Sequence, residues 1–197
     1  TYEQSLQLAA EVGPEAQSIT AHHHLGLALL YHEMGDEDAH AQHWRQAEEL
    51  GQHTTLVDWS YRWHVAQARL KQAKGDFDAA LDLLDEAKRV YVKNPVPDLR
   101  PIAALKAHVY LKQGRLAQAQ AWAHERGLSP ADELSYLQEF EHLMLARVLV
   151  ADNQIDQALV LLERLVRVAE ESKRTGSVIE ILIVQALAYQ AQGNTSA

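Results

Sequence analysis

The sequence predicts an all-α fold, a right-handed α-α superhelix of about four to five helical hairpins with a period of about 39–40 residues. A Gly-Asp step joins two apolar-periodic segments at Gly75-Asp76, and equivalent junctions recur 39 or 40 residues apart, at Gly35, Gly114, Asn153 and Gly193. Seven residues before the junctions stand five alanines, Ala28, Ala68, Ala107, Ala146 and Ala186. A small residue is needed where the two helices of a hairpin cross closely, so the alanines in register predict equivalent crossings.

The period assigns the helices in order. Glycine ends the first helix of a hairpin in the left-handed conformation, and the aspartate that follows caps the second helix. The predicted helices are 2–12, 15–34, 39–50, 56–74, 78–92, 98–113, 116–125, 131–151, 155–174 and 177–192. Because such hairpins stack into one continuous core, residues 1–197 are expected to form a single helical-repeat domain, a TPR-like solenoid. The repeats are cut at both ends, so this domain is expected to be a piece of a larger protein.

Three local signals refine these boundaries. Pro95 and Pro97 break the chain between the second and third hairpins, because neither can donate a helical hydrogen bond. The run Ser129-Pro130-Ala131-Asp132 has the pattern of a capping box and predicts a helix that starts at Ala131. Gly176 is predicted to cap the helix that precedes it.

Composition excludes several classes of function. A net charge of −9 argues against direct contact with nucleic acid, which requires a basic surface. The chain has no cysteine, which excludes thiolate metal sites and fits a reducing, cytoplasmic location. No apolar run approaches the roughly 18 residues of a membrane span. Phosphate-loop, dinucleotide-binding and hydrolase motifs are absent from the sequence, so we do not expect an enzyme.

The eleven histidines are candidate metal ligands. His22, His23 and His24 are consecutive on a helix and point in three directions. His40 and His43 are three residues apart and could share an ion, but no third ligand is predictable. A structural or catalytic zinc site wants three or four convergent ligands, so no metal site is predicted.

An aromatic group occurs near the start of the second hairpin. Trp59 and Trp63 are four residues apart on one helical face, with Tyr61 and Trp44 expected nearby. Aromatic side chains dominate core burial, so packing between hairpins is one interpretation. A wall of a ligand site is the other.

The strongest binding signal is a column of basic residues. First helices line the inner surface of such solenoids, and the position six residues before each junction reads Leu29, Arg69, His108, Arg147 and Leu187. With Arg62 from a neighbouring position, this ladder predicts a concave groove that binds a small anionic effector or an acidic peptide. Glu139, Glu141 and Glu180 could instead pair with these residues and make the ladder structural.

The last predicted helix lacks a partner helix. Its apolar residues Ile179, Leu182, Ile183 and Ala186 are expected to form an exposed strip. Such a strip favours self-association.

Two ordered strings of residues resemble one known family. The first comprises Gly127-Leu128-Ser129-Pro130, residues 133–143 (ELSYLQEFEHL) and residues 145–149 (LARVL); the second is residues 174–193 (RTGSVIEILIVQALAYQAQG). They are similar to the sensor region of MalT-type regulators, large ATP-dependent transcription activators of the LuxR family.

This resemblance implies a parent protein with an NTPase domain, this repeat domain and a helix-turn-helix that binds DNA. ATP would belong to the NTPase domain, so no cofactor is expected in residues 1–197. The repeat domain would sense an effector or partner and change its contacts with the other domains. The alternative is a general TPR-type protein-interaction scaffold with no small-molecule effector. A remoter alternative is an enzyme subunit that uses its histidines with a metal.

Overall fold

The computed structural model describes residues 2–13, 19–93 and 97–193. These ranges contain helices and no strand: α1 (Tyr2–Val12), α2 (Ala21–Met34), α3 (Glu37–Gly51), α4 (Trp59–Ala73), α5 (Phe77–Arg89), α6 (Ile102–Lys112), α7 (Leu116–Glu125), a short 3-10 helix (Tyr136–Gln138), α8 (Glu139–Ala151), α9 (Ile155–Glu171) and α10 (Thr175–Ala191). The all-α prediction is confirmed, as is the pairing of neighbouring helices in the manner of a TPR-like repeat. The predicted start of the second helix, at residues 15–18, lies outside the described residues.

Contacts within the chain define two compact units, unit 1 (Thr1–Lys93) and unit 2 (Asn94–Ala197). Each unit contains helices paired across the predicted junctions. The expectation of one domain over residues 1–197 stays a prediction.

In unit 1, two hairpins pack side by side through their first helices. The hairpins are α2 with α3 and α4 with α5; α2 contacts α4, and α1 packs on α2. Ala28 and Ala68, the two alanines in register, are fully buried at the crossings. A small core in unit 1 contains residues of both hairpins. Its buried residues are Ala21, Leu25, Ala47, Trp59 and Ala66.

The predicted Gly-Asp junctions are present in unit 1. Gly35 and Gly75 both have φ of +76°, the left-handed conformation that glycine adopts without strain. Asp36 Oδ1 accepts a hydrogen bond from the amide of Ala39 at 3.0 Å, and Asp76 Oδ1 accepts one from Ala79 at 3.4 Å. The side chain of each aspartate therefore caps the second helix, as predicted.

In unit 2, three first helices pack in sequence. The hairpins are α6 with α7 and α8 with α9; α8 contacts both α6 and α10. Ala107 and Ala146 are fully buried, whereas Ala186 is exposed, since no helix follows α10 among the described residues. Asn153 takes the place of glycine at its junction with φ of +59°, a conformation that asparagine tolerates better than most residues.

The prediction of a helix starting at Ala131 is wrong. The local cap does form, because Asp132 Oδ2 accepts from the amide of Ser129 at 2.8 Å, but α8 begins only at Glu139. The guanidinium of Arg164 on α9 donates to the carbonyl oxygens of Pro130 and Asp132. In a helix these carbonyl oxygens would accept hydrogen bonds from backbone amides of the same helix. The tertiary contact with Arg164 therefore overrides the local signal.

Two other boundaries are also corrected. The helix predicted from Asp98 begins at Ile102, because Pro101 is extended with ψ of 141° and restrains the residue before it. Gly176 does not cap α9 but lies in the first turn of α10. The left-handed residue at that junction is Lys173, with φ of +55°.

Candidate functional site

The four predicted ligand-binding residues line two cavities, one in each unit. In unit 1, Arg62 and Arg69 border a cavity of about 310 Å³ between α2 and α4. Leu29, from the same repeat position as Arg69, also lines it. Their shared cavity agrees with the repeat register, and their role in binding stays a prediction.

Both arginines of unit 1 have carboxylate partners. Arg62 Nε donates to Asp58 Oδ2 at 2.6 Å, and Arg69 Nη2 donates to Glu33 Oε1 at 2.6 Å. His22 Nε2 lies 3.6 Å from Asp58 Oδ1. Burial and then the positive charge of Arg62 lower the pKa of His22, while Asp58 opposes the shift. The charges on this side are therefore largely balanced within the unit.

The Arg147 cavity, as we name it, lies among α6, α8 and α10 of unit 2 and has a volume of about 240 Å³. It is lined by His108, Leu111, Lys112, Arg147, Val150, Ala151, Val184 and Leu187. The lining therefore combines apolar side chains with cationic or ionisable groups. This combination suits a small anion with an apolar part.

Arg147 is not neutralised by the acids that the sequence suggested. Glu139 pairs with Arg174, and Glu141 Oε1 accepts from Arg126 at 2.7 Å. Glu180 Oε2 accepts from Arg100 at 2.8 Å.

The Nε atom of Arg147 is buried and has no hydrogen-bond partner among the residues that the structure describes. An unpaired donor of a charged group is costly when buried, so Arg147 is the strongest candidate for binding an anion.

The electrostatics of the Arg147 cavity favour a neutral histidine. Burial lowers the pKa of His108 to about 4, helped by the positive charges of Arg147, Lys112 and Arg100. Burial also lowers the pKa of Arg147, and the negative charge of Glu180 opposes this. At neutral pH the cavity therefore has two cations, Lys112 and Arg147, beside a neutral imidazole.

Lys112 also lines the cavity and was not predicted from the sequence. Lys112 follows His108 by four residues in α6, so both side chains share one helical face. The four-residue spacing of His108 and Lys112 is the sequence signal that could have predicted Lys112 as a lining residue. The apolar lining residues Val150, Val184 and Leu187 were not predicted either, because apolar residues in a helical repeat usually form the core.

A larger groove exists in unit 1 between α1 and α2. Its volume is about 740 Å³, and its lining residues are Tyr2, Ser5, His23, Leu27, Leu30, Tyr31 and Met34. None of these side chains carries a permanent charge. The smaller Arg147 cavity is therefore the better candidate for recognition of an anion.

The tryptophans of the two hairpins of unit 1 pack as a cluster. The ring centroids of Trp44 and Trp63 are 4.5 Å apart, and those of Trp59 and Trp63 are 5.4 Å apart. Trp59 is buried in the small core of unit 1, and Trp44 and Trp63, which are partly buried, pack against that core. Tyr61 instead lines the unit 1 cavity beside Arg62.

The histidines pair differently from the sequence hypothesis. His43 Nδ1 lies 2.9 Å from His24 Nδ1, whereas the His40 ring lies beside the ring of His32, with centroids 5.1 Å apart. The hypothesis that His40 and His43 share an ion is replaced by these two separate pairs.

The predicted apolar strip of α10 is exposed. Ile179 is 56% exposed, Leu182 45% and Ile183 54%, and Ala186 is also exposed. Self-association through this strip stays a prediction. Among the described residues, no helix is both long enough and apolar enough to cross a lipid bilayer.

Comparison with known proteins identifies the repeat. The family described as the MalT-like TPR region matches residues 1–197, which is the whole chain. No curated protein and no solved structure matches this chain.

Proposed function

Because the chain belongs to the family of MalT-like TPR regions, we propose that it is the sensor domain of a cytoplasmic LuxR-family transcription regulator and that the Arg147 cavity binds a small anionic effector. Family membership supports the regulator. The observation that supports effector binding is that the Nε atom of Arg147 is buried and has no hydrogen-bond partner among the described residues.

The cavity defines the class of effector. Its volume of about 240 Å³ is below the roughly 300–1,000 Å³ of pockets for drug-sized ligands, so the effector is small. Arg147 provides a planar guanidinium that can bind a carboxylate or a phosphate with two parallel hydrogen bonds. Lys112 adds a second positive charge, and Leu111, Val150 and Leu187 would contact the apolar part of the ligand.

The mechanism follows from where the lining residues lie. Lys112 is on α6, Arg147 on α8 and Val184 on α10, so one bound anion contacts three first helices of unit 2. A ligand that binds one spacing of these helices more tightly than another shifts the population toward it. That shift would change contacts with the NTPase and DNA-binding domains expected in the parent, where ATP would bind.

The proposed test is a thermal-shift and calorimetric screen of small carboxylates, phosphates and sugars against the chain. An effector should raise the melting temperature, since it binds the folded state only. The Arg147→Gln variant should weaken the affinity at least about tenfold, because a charge-assisted hydrogen bond is worth roughly 1.5–3 kcal/mol. Arg167→Gln is the matched control, because Arg167 is an exposed arginine of unit 2 that does not line the cavity.

Two further measurements distinguish the Arg147 cavity from the other possible binding sites and ligands. Arg69→Gln tests the unit 1 cavity separately, because an unchanged affinity in that variant would show that Arg69 does not bind the effector. Binding of acidic peptides without binding of any small anion would favour the interaction scaffold. Equal affinity of the wild-type chain and Arg147→Gln would refute the Arg147 cavity as the effector site.

A further inference from the structure

Three side chains of metal-ligand type meet where α2 turns into α3 in unit 1. They are His32, Glu37 and His40, and one ligand atom from each lies within 4.8 Å of the others. The His32 Nδ1 atom is 3.5 Å from Glu37 Oε1. That distance matches the edge of a tetrahedral site, about 3.4 Å when metal–ligand bonds are about 2.1 Å long. Glu37 is exposed and free to adjust its side chain toward both rings.

The proton positions suit a metal ligand at His40. Its Nδ1 lies 2.9 Å from the carbonyl oxygen of Ala28, and since a carbonyl only accepts, Nδ1 carries the proton. In this tautomer the lone pair is on Nε2. A histidine that binds a metal commonly donates its other ring nitrogen to a backbone carbonyl, which fixes the ring in place.

His32 also has a ring nitrogen that makes no hydrogen bond among the described residues. Its Nδ1 is buried, and although Glu37 Oε1 lies 3.5 Å away, the two atoms do not form a hydrogen bond. A buried polar atom of this kind requires an explanation, and a bound ion is one of the standard explanations.

The repeat register shows that all three positions differ from their equivalents. Where the first repeat has His40, the later repeats have the fully buried alanines Ala80, Ala119 and Ala158. Where it has Glu37, they have the apolar residues Phe77, Leu116 and Ile155. Where it has His32, they have Gln72, Leu111, Val150 and Gln190. The first hairpin is thus the one repeat in the described residues with groups of metal-ligand type at all three positions, and at two of them the later repeats have apolar residues.

We propose that His32, Glu37 and His40 form a binding site for a divalent transition-metal ion, with Zn²⁺ as the best match, that closes the α2–α3 hairpin. Two imidazole nitrogens and one carboxylate oxygen suit zinc, whereas calcium and magnesium prefer oxygen ligands alone. Three protein ligands leave a fourth position for water or for a ligand from a partner. The site is independent of the effector proposed for unit 2.

The neighbouring histidine pair does not provide an equivalent site. His24 and His43 face each other, and the His43 ring stacks on Tyr31 with centroids 5.5 Å apart. Within the described part of the chain, the trio of His32, Glu37 and His40 is where three such ligands converge.

The test is calorimetric titration of Zn²⁺ into tag-free chain that has been treated with a chelator, with Mg²⁺ as the comparison ion. One zinc ion per chain is expected to bind and to raise the melting temperature. His40→Ala and Glu37→Gln should each weaken zinc binding at least about tenfold. His40→Ala introduces the residue that the three later repeats carry, so the hairpin should keep its packing, which circular dichroism checks.

The matched control is His53→Gln, which removes an exposed histidine from the same unit and should leave zinc affinity unchanged. Absence of zinc binding by the wild-type chain would overturn the proposal. Undiminished binding by both His40→Ala and Glu37→Gln would overturn it as well, because another set of histidines would then hold the ion.

Discussion

The two units share one repeat register and fill it with different chemistry. In unit 1 a small core formed by both hairpins contains Trp59, with Trp44 and Trp63 packed against it, and His40 occupies a position that is alanine in the later repeats. In unit 2 the core is mostly aliphatic, with Leu161 and Leu162 fully buried, and Trp122 and Phe140 are its buried aromatic residues.

The two units also differ in how their charged side chains are paired and buried. In unit 1, the ion pair of Arg69 with Glu33 is exposed on both sides. In unit 2, the Glu141 side chain is only 3% exposed and depends on Arg126, and Arg147 has no carboxylate within ion-pair distance among the described residues. The comparison teaches that alanines in register fix the hairpin geometry, while the remaining positions are free to acquire separate roles.

The largest expected difference concerns the two ion pairs. Arg126→Ala should lower the free energy of unfolding by about 3 kcal/mol, because it leaves the Glu141 carboxylate buried without its partner. Arg69→Ala should change it by less than about 0.5 kcal/mol, because that pair is exposed and screened by solvent. Urea denaturation followed by circular dichroism measures both.

A double variant checks the cause of the Arg126 effect. Adding Glu141→Gln to Arg126→Ala removes the buried charge and should restore part of the lost stability. Equal effects of Arg126→Ala and Arg69→Ala would contradict the contrast between the units.

A second comparison is the response to acid of His24 in unit 1 and His108 in unit 2. Burial lowers the pKa of each from 6.5 to about 4, with help from His43 and His23 at His24 and from Arg147, Lys112 and Arg100 at His108. Between these pH values the unfolded chain binds more protons than the folded one. The stability contributed by each neutral histidine is therefore complete above about pH 6.5 and is lost as the pH falls toward 4.

The size of this loss is on the order of 2 kcal/mol for each histidine after allowance for partial solvent exposure. His108→Gln or His24→Gln should each make the stability less dependent on pH in that window. Arg147→Gln should raise the pKa of His108, measured by NMR, and leave that of His24 unchanged. A pKa of His108 that does not respond would show that Arg147 does not act on it.

The smallest expected effect concerns two glycines. A Cβ atom at Gly51, the last residue of α3, would overlap the Trp59 ring, so Gly51→Ala should destabilise unit 1 by about 1–2 kcal/mol. Gly176 in the first turn of α10 faces open space, so Gly176→Ala should stabilise the chain by about 0.5 kcal/mol. Thermal unfolding of the two variants, with tryptophan fluorescence for the first, checks the opposite signs.

Much of the fold was predictable because the repeat is a local signal that recurs. Gly75 with Asp76 encodes a helix end and a helix cap within two residues, and the structure has both. The run Ser129–Asp132 shows where local signals fail. Its cap forms, yet Arg164, more than 30 residues away in the sequence, takes the carbonyl groups that a helix would need.

The candidate site was only partly predictable. The repeat register brought His108 and Arg147 to one cavity, and it also placed Arg69 beside another. It did not indicate that Glu139, Glu141 and Glu180 would find other arginines, because side-chain pairing depends on distances between helices. Lys112 and the trio of His32, Glu37 and His40 were missed for the same reason.

The sequence by itself determined most of the helices, their pairing into hairpins and the alanines in register, because each of these depends on residues close together in the chain or on a fixed period. The tertiary structure alone decided which charges are neutralised and which remain available. Salt bridges and ligand sites form between side chains that are distant in sequence, and their strength depends on burial and separation within a few ångströms. Arg147 and the histidines of the first hairpin therefore acquire their proposed roles only once the helices pack.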